Sequence, residues 1–273
     1  MFSSFISRLY SHKMQKWNPE SLINLELQNT TEDRFAVVVL NRRISVPVEV
    51  TTNLWQNAAI RCLVDGGANR WHQFLVNNNL SNSELKSPDF ITGDFDSILE
   101  ETMTYFKENS PESIKIVNTP DQNETDFTKS LRVLKSNLDR LNVRNVIVFQ
   151  EFSGRLDQMM GNINTLYKCE SILLENSRVF LLSSSSMTWL LKPGQHSIEI
   201  PRDLVENKRW CSLLPIGEKA IVTTDGLKWD LYNGSLQFGG MVSSSNSYAK
   251  EIIEITTDGY VVWSMGLFNF TDD

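Results

Sequence analysis

The sequence predicts an α/β domain built on a mainly parallel sheet, followed by an all-β domain. Two observations carry the first half: between residues 35 and 182 short apolar runs alternate with stretches of helical period, and the runs are near-continuous and rich in β-branched residues. Such runs mark strands covered by helices on both faces, the habit of parallel sheets. A third observation carries the second half. Beyond the polar joint at 183–186 the helical period disappears, and short strand-like segments are broken by Pro193-Gly194, Asp225-Gly226, Asn233-Gly234 and Asp258-Gly259. That punctuation belongs to antiparallel hairpins in a sandwich or barrel.

In chain order, residues 1–32 are expected to form a disordered or targeting-like tail. The first sixteen residues carry Arg8, Lys13 and Lys16, no acid, several serines and the apolar Phe2, Phe5, Ile6 and Leu9. This composition is shared by weak mitochondrial presequences and by basic disordered tails, and the tail is the reading adopted. The α/β domain is assigned to 33–182, with strands at 35–40, 60–64, 90–91, 114–117, 146–149 and 179–182. Its clearest helix starts at the N-cap Thr125 and reaches about Leu141, with Phe127, Leu131, Leu134, Leu138 and Leu141 along one side. Another helix is expected from about Leu156 to Cys169, with Leu156, Met160, Ile163 and Tyr167 facing inward. The β-domain is assigned to 183–273.

Composition narrows the function. The chain has 273 residues, 41% of them apolar and 22% charged, with a net charge of −7 and a pI near 5.1. Without a Lys/Arg run, nucleic acid and anionic membranes are excluded as main partners, and no apolar run reaches the ~20 residues of a membrane span. Cys62, Cys169 and Cys211 lie far apart, offering neither a disulfide framework nor zinc-ligand spacing. A reducing compartment, the cytoplasm, is therefore expected, with mitochondrial targeting as the alternative. His12, His72 and His196 are equally scattered and are taken as packing or surface residues.

Ligands of open α/β sheets bind beyond the carboxyl ends of the strands. Four polar clusters fall there, at 65–70, 93–97, 119–126 and 150–157. Asp94 and Asp96 flank Phe95, and Asp126 follows one strand later. Carboxylates in this arrangement suit Mg2+, which takes oxygen ligands and leaves positions for phosphate and water. Read alone, Gly-Asp-Phe-Asp-Ser is equally a polar turn with its cap, but the convergence of four such strand ends favours a site for an anionic ligand. Asp65, Gly66 and Asn69 offer a carboxylate, a closely approachable backbone and an amide. Arg155 could clamp a phosphate. In the β-domain, Trp229 offers a stacking face to a flat aromatic ligand, with Ser243, Ser245 and Asn246 to read polar ring substituents; the competing reading makes this tryptophan core.

Seven segments taken together resemble the thiamin pyrophosphokinase family, eukaryotic type: DGGANR at 65–70, ITGDFDS at 91–97, TPDQNETDFTKSL at 119–131, SGRLDQMMGNINTLY at 153–167, LLKPGQH at 190–196, GLKWDL at 226–231 and MVSSSNSY at 241–248. The resemblance implies an α/β catalytic domain, a C-terminal β-sandwich that holds thiamin, and a homodimer with shared active sites. It implies transfer of a pyrophosphoryl group from the co-substrate ATP to the thiamin hydroxyl, giving thiamin diphosphate and AMP. On the matching motifs, Asp94, Asp96 and Asp126 would hold Mg2+. Gln122, Arg155 and Asp157 would lie near the transferred group, Asp65, Gly66, Asn69 and Thr125 would serve the nucleotide, and Trp229, Ser243, Ser245 and Asn246 would line the vitamin pocket. The hydroxyl proton would go to Asp126 or Asp157. One departure stands out: Gln150-Glu151 replaces the family's Gly-Gly pair, adding bulk and negative charge. The rival functions are a non-catalytic binder of thiamin or its diphosphate, and a metal-dependent nucleotide-sugar glycosyltransferase, for which only the Asp-x-Asp pair speaks.

Overall fold

The computed structural model describes residues 14–23, 34–80, 84–110 and 114–267. The chain divides into two compact units: Leu25–Ser184, and Met1–Asn24 together with Ser185–Asp273.

The segment 14–23 corrects part of the expected tail. Gln15–Trp17 forms a strand (β1) and Pro19–Ile23 a short helix (α1). Trp17 is buried, its indole N–H donates to His196 Nδ1 at 3.1 Å, and its ring lies 5.6 Å from that of Trp189. Asn18 Oδ1 accepts from Ser21 N at 2.9 Å, an N-cap with proline at the first helical position. One buried aromatic outweighs a polar composition here. Residues 1–13 and 24–32 of the expected tail lie outside the described residues.

The α/β unit runs β2 (Phe35–Val39), α2 (Val48–Asn57), β3 (Ile60–Val64), α3 (Gly67–Asn77), β4 (Phe90–Gly93), α4 (Glu100–Asn109), β5 (Lys115–Asn118), α5 (Asp126–Arg140), β6 (Asn145–Phe149), α6 (Leu156–Ile172) and β7 (Arg178–Leu182). The strand order is β7-β6-β2-β3-β4-β5, with every pairing parallel. β2, β3 and β6 are buried at every residue, which is why they read as near-continuous apolar runs, with Arg61 and Asn145 the polar exceptions. The order reverses between β6 and β2, making a topological switch point whose crevice opens beyond the strands' carboxyl ends. Thr125 caps α5 as expected, its side chain accepting from Thr128 N at 3.2 Å.

The inward face of α6 differs from expectation. Leu156 and Met160 are exposed, at 67% and 41%, and the buried residues are Ile163, Thr165, Leu166 and Ile172. Thr165 Oγ1 lies 2.8 Å from Thr128 Oγ1, and a Cβ on Gly161 would stand 3.3 Å from Thr125. Small and hydroxyl side chains set this helix's contact with α5, so of the expected inward residues Ile163 is buried while Leu156 and Met160 are not.

The β-rich unit contains β8 (Ser186–Leu191), β9 (Gly194–Glu199), the short helix α7 (Arg202–Glu206), β10 (Trp210–Leu214), β11 (Ala220–Asp225), β12 (Gly234–Leu236), β13 (Ser243–Ser247), β14 (Ile252–Thr257) and β15 (Val261–Gly266). One sheet has the order β1-β9-β14-β11-β12, antiparallel except for the pairing of β1 with β9. In the other, β13, β10, β15 and β8 pair antiparallel in that order. Alternate residues of β9, β11 and β14 are buried, and Trp17 of one sheet meets Trp189 of the other, so the core lies between two sheets as in a sandwich. Among the described residues, no helix is long and apolar enough to cross a membrane.

Candidate active site

β3 and β4 end side by side, and their geometry gathers the acids. Gly93, at φ 146°, closes β4 against β3, since a Cβ there would stand 2.7 Å from that of Asp65. Asp65 follows β3 with φ 48°, and Phe95, between the two motif aspartates, has φ 66°. Left-handed backbone at a bulky residue costs energy and clusters at functional sites. α5 begins nearby and brings Asp126 in its first turn.

Asp65, Asp94 and Asp126 converge, each offering a carboxylate oxygen within 4.8 Å of the others. Asp96 is not part of this group. Its carboxylate accepts from Ser97 Oγ at 2.7 Å and is exposed, whereas Asp65, expected to serve the nucleotide, lies in the group. Asp94 accepts from Gln122 Nε2 at 2.8 Å and from Asp96 N at 3.3 Å. Lys129 Nζ stands 2.7 Å from Asp126 Oδ1 and 3.8 Å from Asp94 Oδ2. Burial pushes the Asp94 carboxyl up, but the hydrogen bonds from Gln122 and Asp96 N and the Lys129 charge outweigh it and hold it below its ordinary value. Burial pushes Asp126 up, and the neighbouring Asp94 and Asp65 add to this against the Lys129 ammonium.

Three carboxylates with one ammonium leave two negative charges uncompensated, and every donor is a hard oxygen. The set fits a dication of the Mg2+ class.

The other expected residues fall into three groups. Asn69 is engaged with the 94–99 loop, its Nδ2 donating to Ser97 O at 2.8 Å and its Oδ1 accepting from Leu99 N at 3.0 Å, so it shapes the acidic turn. Gly66 lies against Asn41, and Thr125 is occupied as the α5 cap. Arg155 and Asp157 form a bidentate ion pair at the start of α6, both exposed. The hydrogen bonds from Arg155 hold Asp157 below its ordinary value. Arg42, absent from the expectation, donates to Gln158 at 2.6 Å and sits against Gly154, placing a second guanidinium at this helix start. Gln150 is buried and accepts from Asn162, while the Glu151 carboxylate accepts from Ser184 N and Oγ.

In the β-rich unit Trp229 is 54% exposed, whereas Trp189 and Trp263 are core. The core reading of Trp229 is therefore excluded. Asp230 builds the turn, accepting from Thr224 Oγ1, Gly226 N and Leu227 N. Asn246 is buried and clasps the Trp229 backbone, accepting from its N at 3.2 Å and donating to its O at 2.9 Å. Its amide presents the indole and is spent on that task; Ser243 Oγ accepts from the same amide at 3.4 Å. Ser245, at φ 57°, is exposed. Lys228 Nζ lies 4.2 Å from the Trp229 ring centroid, showing that the indole face accepts a cation.

Comparison with known proteins agrees with this division. Residues 51–181 match the family model described as thiamin pyrophosphokinase, catalytic domain, and residues 195–262 match thiamin pyrophosphokinase, vitamin B1 binding domain. The class is thus a catalytic α/β domain joined to a vitamin-binding β-domain. Thiamine pyrophosphokinase 1 of Oryza sativa subsp. japonica is 35% identical over 243 residues, covering 86% of this chain and 88% of that protein. Thiamine pyrophosphokinase 2 of Arabidopsis thaliana is 32% identical over 258 residues, covering 89% and 90%. Among solved structures, thiamin pyrophosphokinase from Candida albicans superposes with a TM-score of 0.78 at 24% identity over 95% of each chain, a likeness of fold. The chain belongs to the thiamin pyrophosphokinase family.

Proposed function

We propose that this enzyme transfers a pyrophosphoryl group from ATP to the hydroxyl of thiamin, producing thiamin diphosphate and AMP. The observation that carries the reading is the tandem match to a catalytic and a vitamin-binding domain, with a three-carboxylate cluster at the strand ends of the first. Phosphoryl-type transfer requires positioning and charge stabilisation more than covalent work from the protein. Asp94, Asp126 and Asp65 would hold Mg2+; Asp96 remains proposed on the resemblance alone. Bound there, Mg2+ supplies the positive charge that offsets charge developing on the transferred group.

The chain's own groups do the rest. Gln122 fixes the orientation of Asp94 through its 2.8 Å bond. Arg155 presents its guanidinium at a helix start, suited to phosphate oxygens. The hydroxyl proton needs an acceptor: Asp157 is weakened as a base by Arg155, whereas burial strengthens Asp126. Trp229, held out by Asn246, stacks on the vitamin, with Ser243 and Ser245 beside it. A homodimer with shared active sites and a cytoplasmic setting complete the proposal, the latter in keeping with three free cysteines.

Incubating the purified protein with ATP, Mg2+ and thiamin tests the reading. Stoichiometric AMP and thiamin diphosphate are expected. Thiamin binding without AMP would instead mark a non-catalytic binder, and nucleotide-sugar turnover a glycosyltransferase.

A further inference from the structure

The acidic cluster contains one buried ammonium. Lys129 is 5% exposed, and a lysine is almost never buried unless its charge is paired. An ammonium has three protons to donate. Nζ donates to Thr119 O at 2.7 Å and Asp121 O at 3.0 Å, and it pairs as an ion with Asp126 Oδ1 at 2.7 Å. Asp94 Oδ2 is farther off, at 3.8 Å. The ammonium is therefore bonded to two loop carbonyls and set against two carboxylates before a substrate arrives.

The acceptors belong to two different pieces of the site. Thr119 and Asp121 lie in the loop after β5, which carries Gln122 and through it orients Asp94. Asp126 lies in the first turn of α5, three residues before Lys129. One ammonium thus ties the loop to the helix and offsets one of three carboxylates.

We propose that Lys129 is a positioning residue, a built-in cation that holds the 119–122 loop and Asp126 in register and sets the charge of the cluster, and not a clamp on the substrate phosphates. The proposal rests on reading the cluster as a metal-phosphate site. A clamp must reach its substrate, and this ammonium is buried, bonded to two loop carbonyls and facing two carboxylates. Losing the charge leaves three uncompensated carboxylates, which attract a divalent ion more strongly while the untied loop aligns the reacting groups less well.

Lys129→Met, similar in length and apolar, separates these roles. Binding of Mn2+ alone, followed by electron paramagnetic resonance without nucleotide, should tighten by roughly tenfold once the repelling ammonium is gone. In turnover assays kcat should fall by at least ~30-fold with the KM for ATP within about threefold, the split expected when alignment and not substrate binding is lost. An unchanged Mn2+ affinity overturns the proposal, as does a KM for ATP raised about tenfold at undiminished kcat, the mark of a clamp.

A measurement on the native protein covers the case in which the variant does not fold. With 15N-lysine labelling, the Lys129 ammonium should give a slowly exchanging signal without metal or nucleotide, and the signal should persist when a non-hydrolysable ATP analogue binds. A signal that appears only with the analogue, or couples to its phosphorus, overturns the proposal. Neither Mn2+ binding nor the lysine signal requires turnover, so failure of the reaction assignment would show separately, as missing AMP.

Discussion

Replacing Asp94 by Asn isolates charge from shape. The amide keeps the side chain's size and an oxygen to accept from Gln122, and removes one negative charge from the cluster. A lost Mg2+ ligand misplaces charge stabilisation in the transition state, and kcat should fall by at least ~100-fold, about 2.7 kcal/mol. Stability should move little, because the hydrogen bonds from Gln122 and Asp96 N and the Lys129 charge that favour the ionised carboxylate oppose its repulsion of the other two acids. Two unit charges 4.8 Å apart, the outer limit for this group, repel by about 3.5 kcal/mol at an effective dielectric near ~20. Asp94 is 13% and Asp126 33% exposed along the side chain, and Lys129 lies between them, so solvent and counter-charge reduce the relief to on the order of 1 kcal/mol. Without metal, the variant should melt close to the native protein; adding Mg2+ should stabilise the native protein more. Thermal unfolding by circular dichroism with and without Mg2+, beside an AMP assay, reads both quantities. Near-native turnover with unchanged Mg2+ dependence would refute the metal assignment. A sharply lowered Tm without metal would assign Asp94 to the fold instead.

Trp229→Ala should raise the KM for thiamin and leave that for ATP near native, because the exposed indole is proposed to face the vitamin; an equal rise for both substrates counts against it. If each shared site of the homodimer takes Asp126 from one chain and Trp229 from its partner, unfolding and reassembling equal amounts of Asp126→Asn and Trp229→Ala should restore about a quarter of native sites under random pairing. No recovery, with exchange verified by native mass spectrometry, excludes the shared site. His196 is buried and neutral, accepting from Trp17 at Nδ1 and donating from Nε2 to Lys192 O, and burial lowers its pKa below the ordinary 6.5. The unfolded chain then binds the extra proton, so stability is full above 6.5 and is lost as pH falls from there through the folded value. The drop in urea midpoint between about pH 7.5 and about pH 5.5 should be larger for the native protein than for His196→Gln; equal drops would remove His196 from the account.

Much of this protein was legible before folding was considered. Near-continuous apolar runs announced β2, β3 and β6, because a strand covered on both faces has no alternating polar side to show. Thr125 announced α5, because capping is local chemistry between a side chain and an amide three residues on. The acids at strand ends announced a site for the same reason: strand ends are fixed by the chain that precedes them. What stayed hidden depends on distance in sequence. On paper Asp96 was the expected ligand and Asp65 a nucleotide contact, and only the closure of β4 on β3 through Gly93 brings Asp65 to the cluster while Asp96, beyond the turn at Phe95, lies outside it. Asn246 looked like a ligand reader and proves to be the clasp on Trp229, seventeen residues away. Trp17 looked like part of a tail, and its partner His196 is 179 residues distant. Lys129 gave no signal beyond its three-residue spacing from Asp126, because a lysine's burial is decided by the acceptors that the fold gathers around it. Local propensity and periodicity act over a turn of helix or a strand; which polar groups share one low-dielectric crevice is decided only when the chain brings its distant segments together.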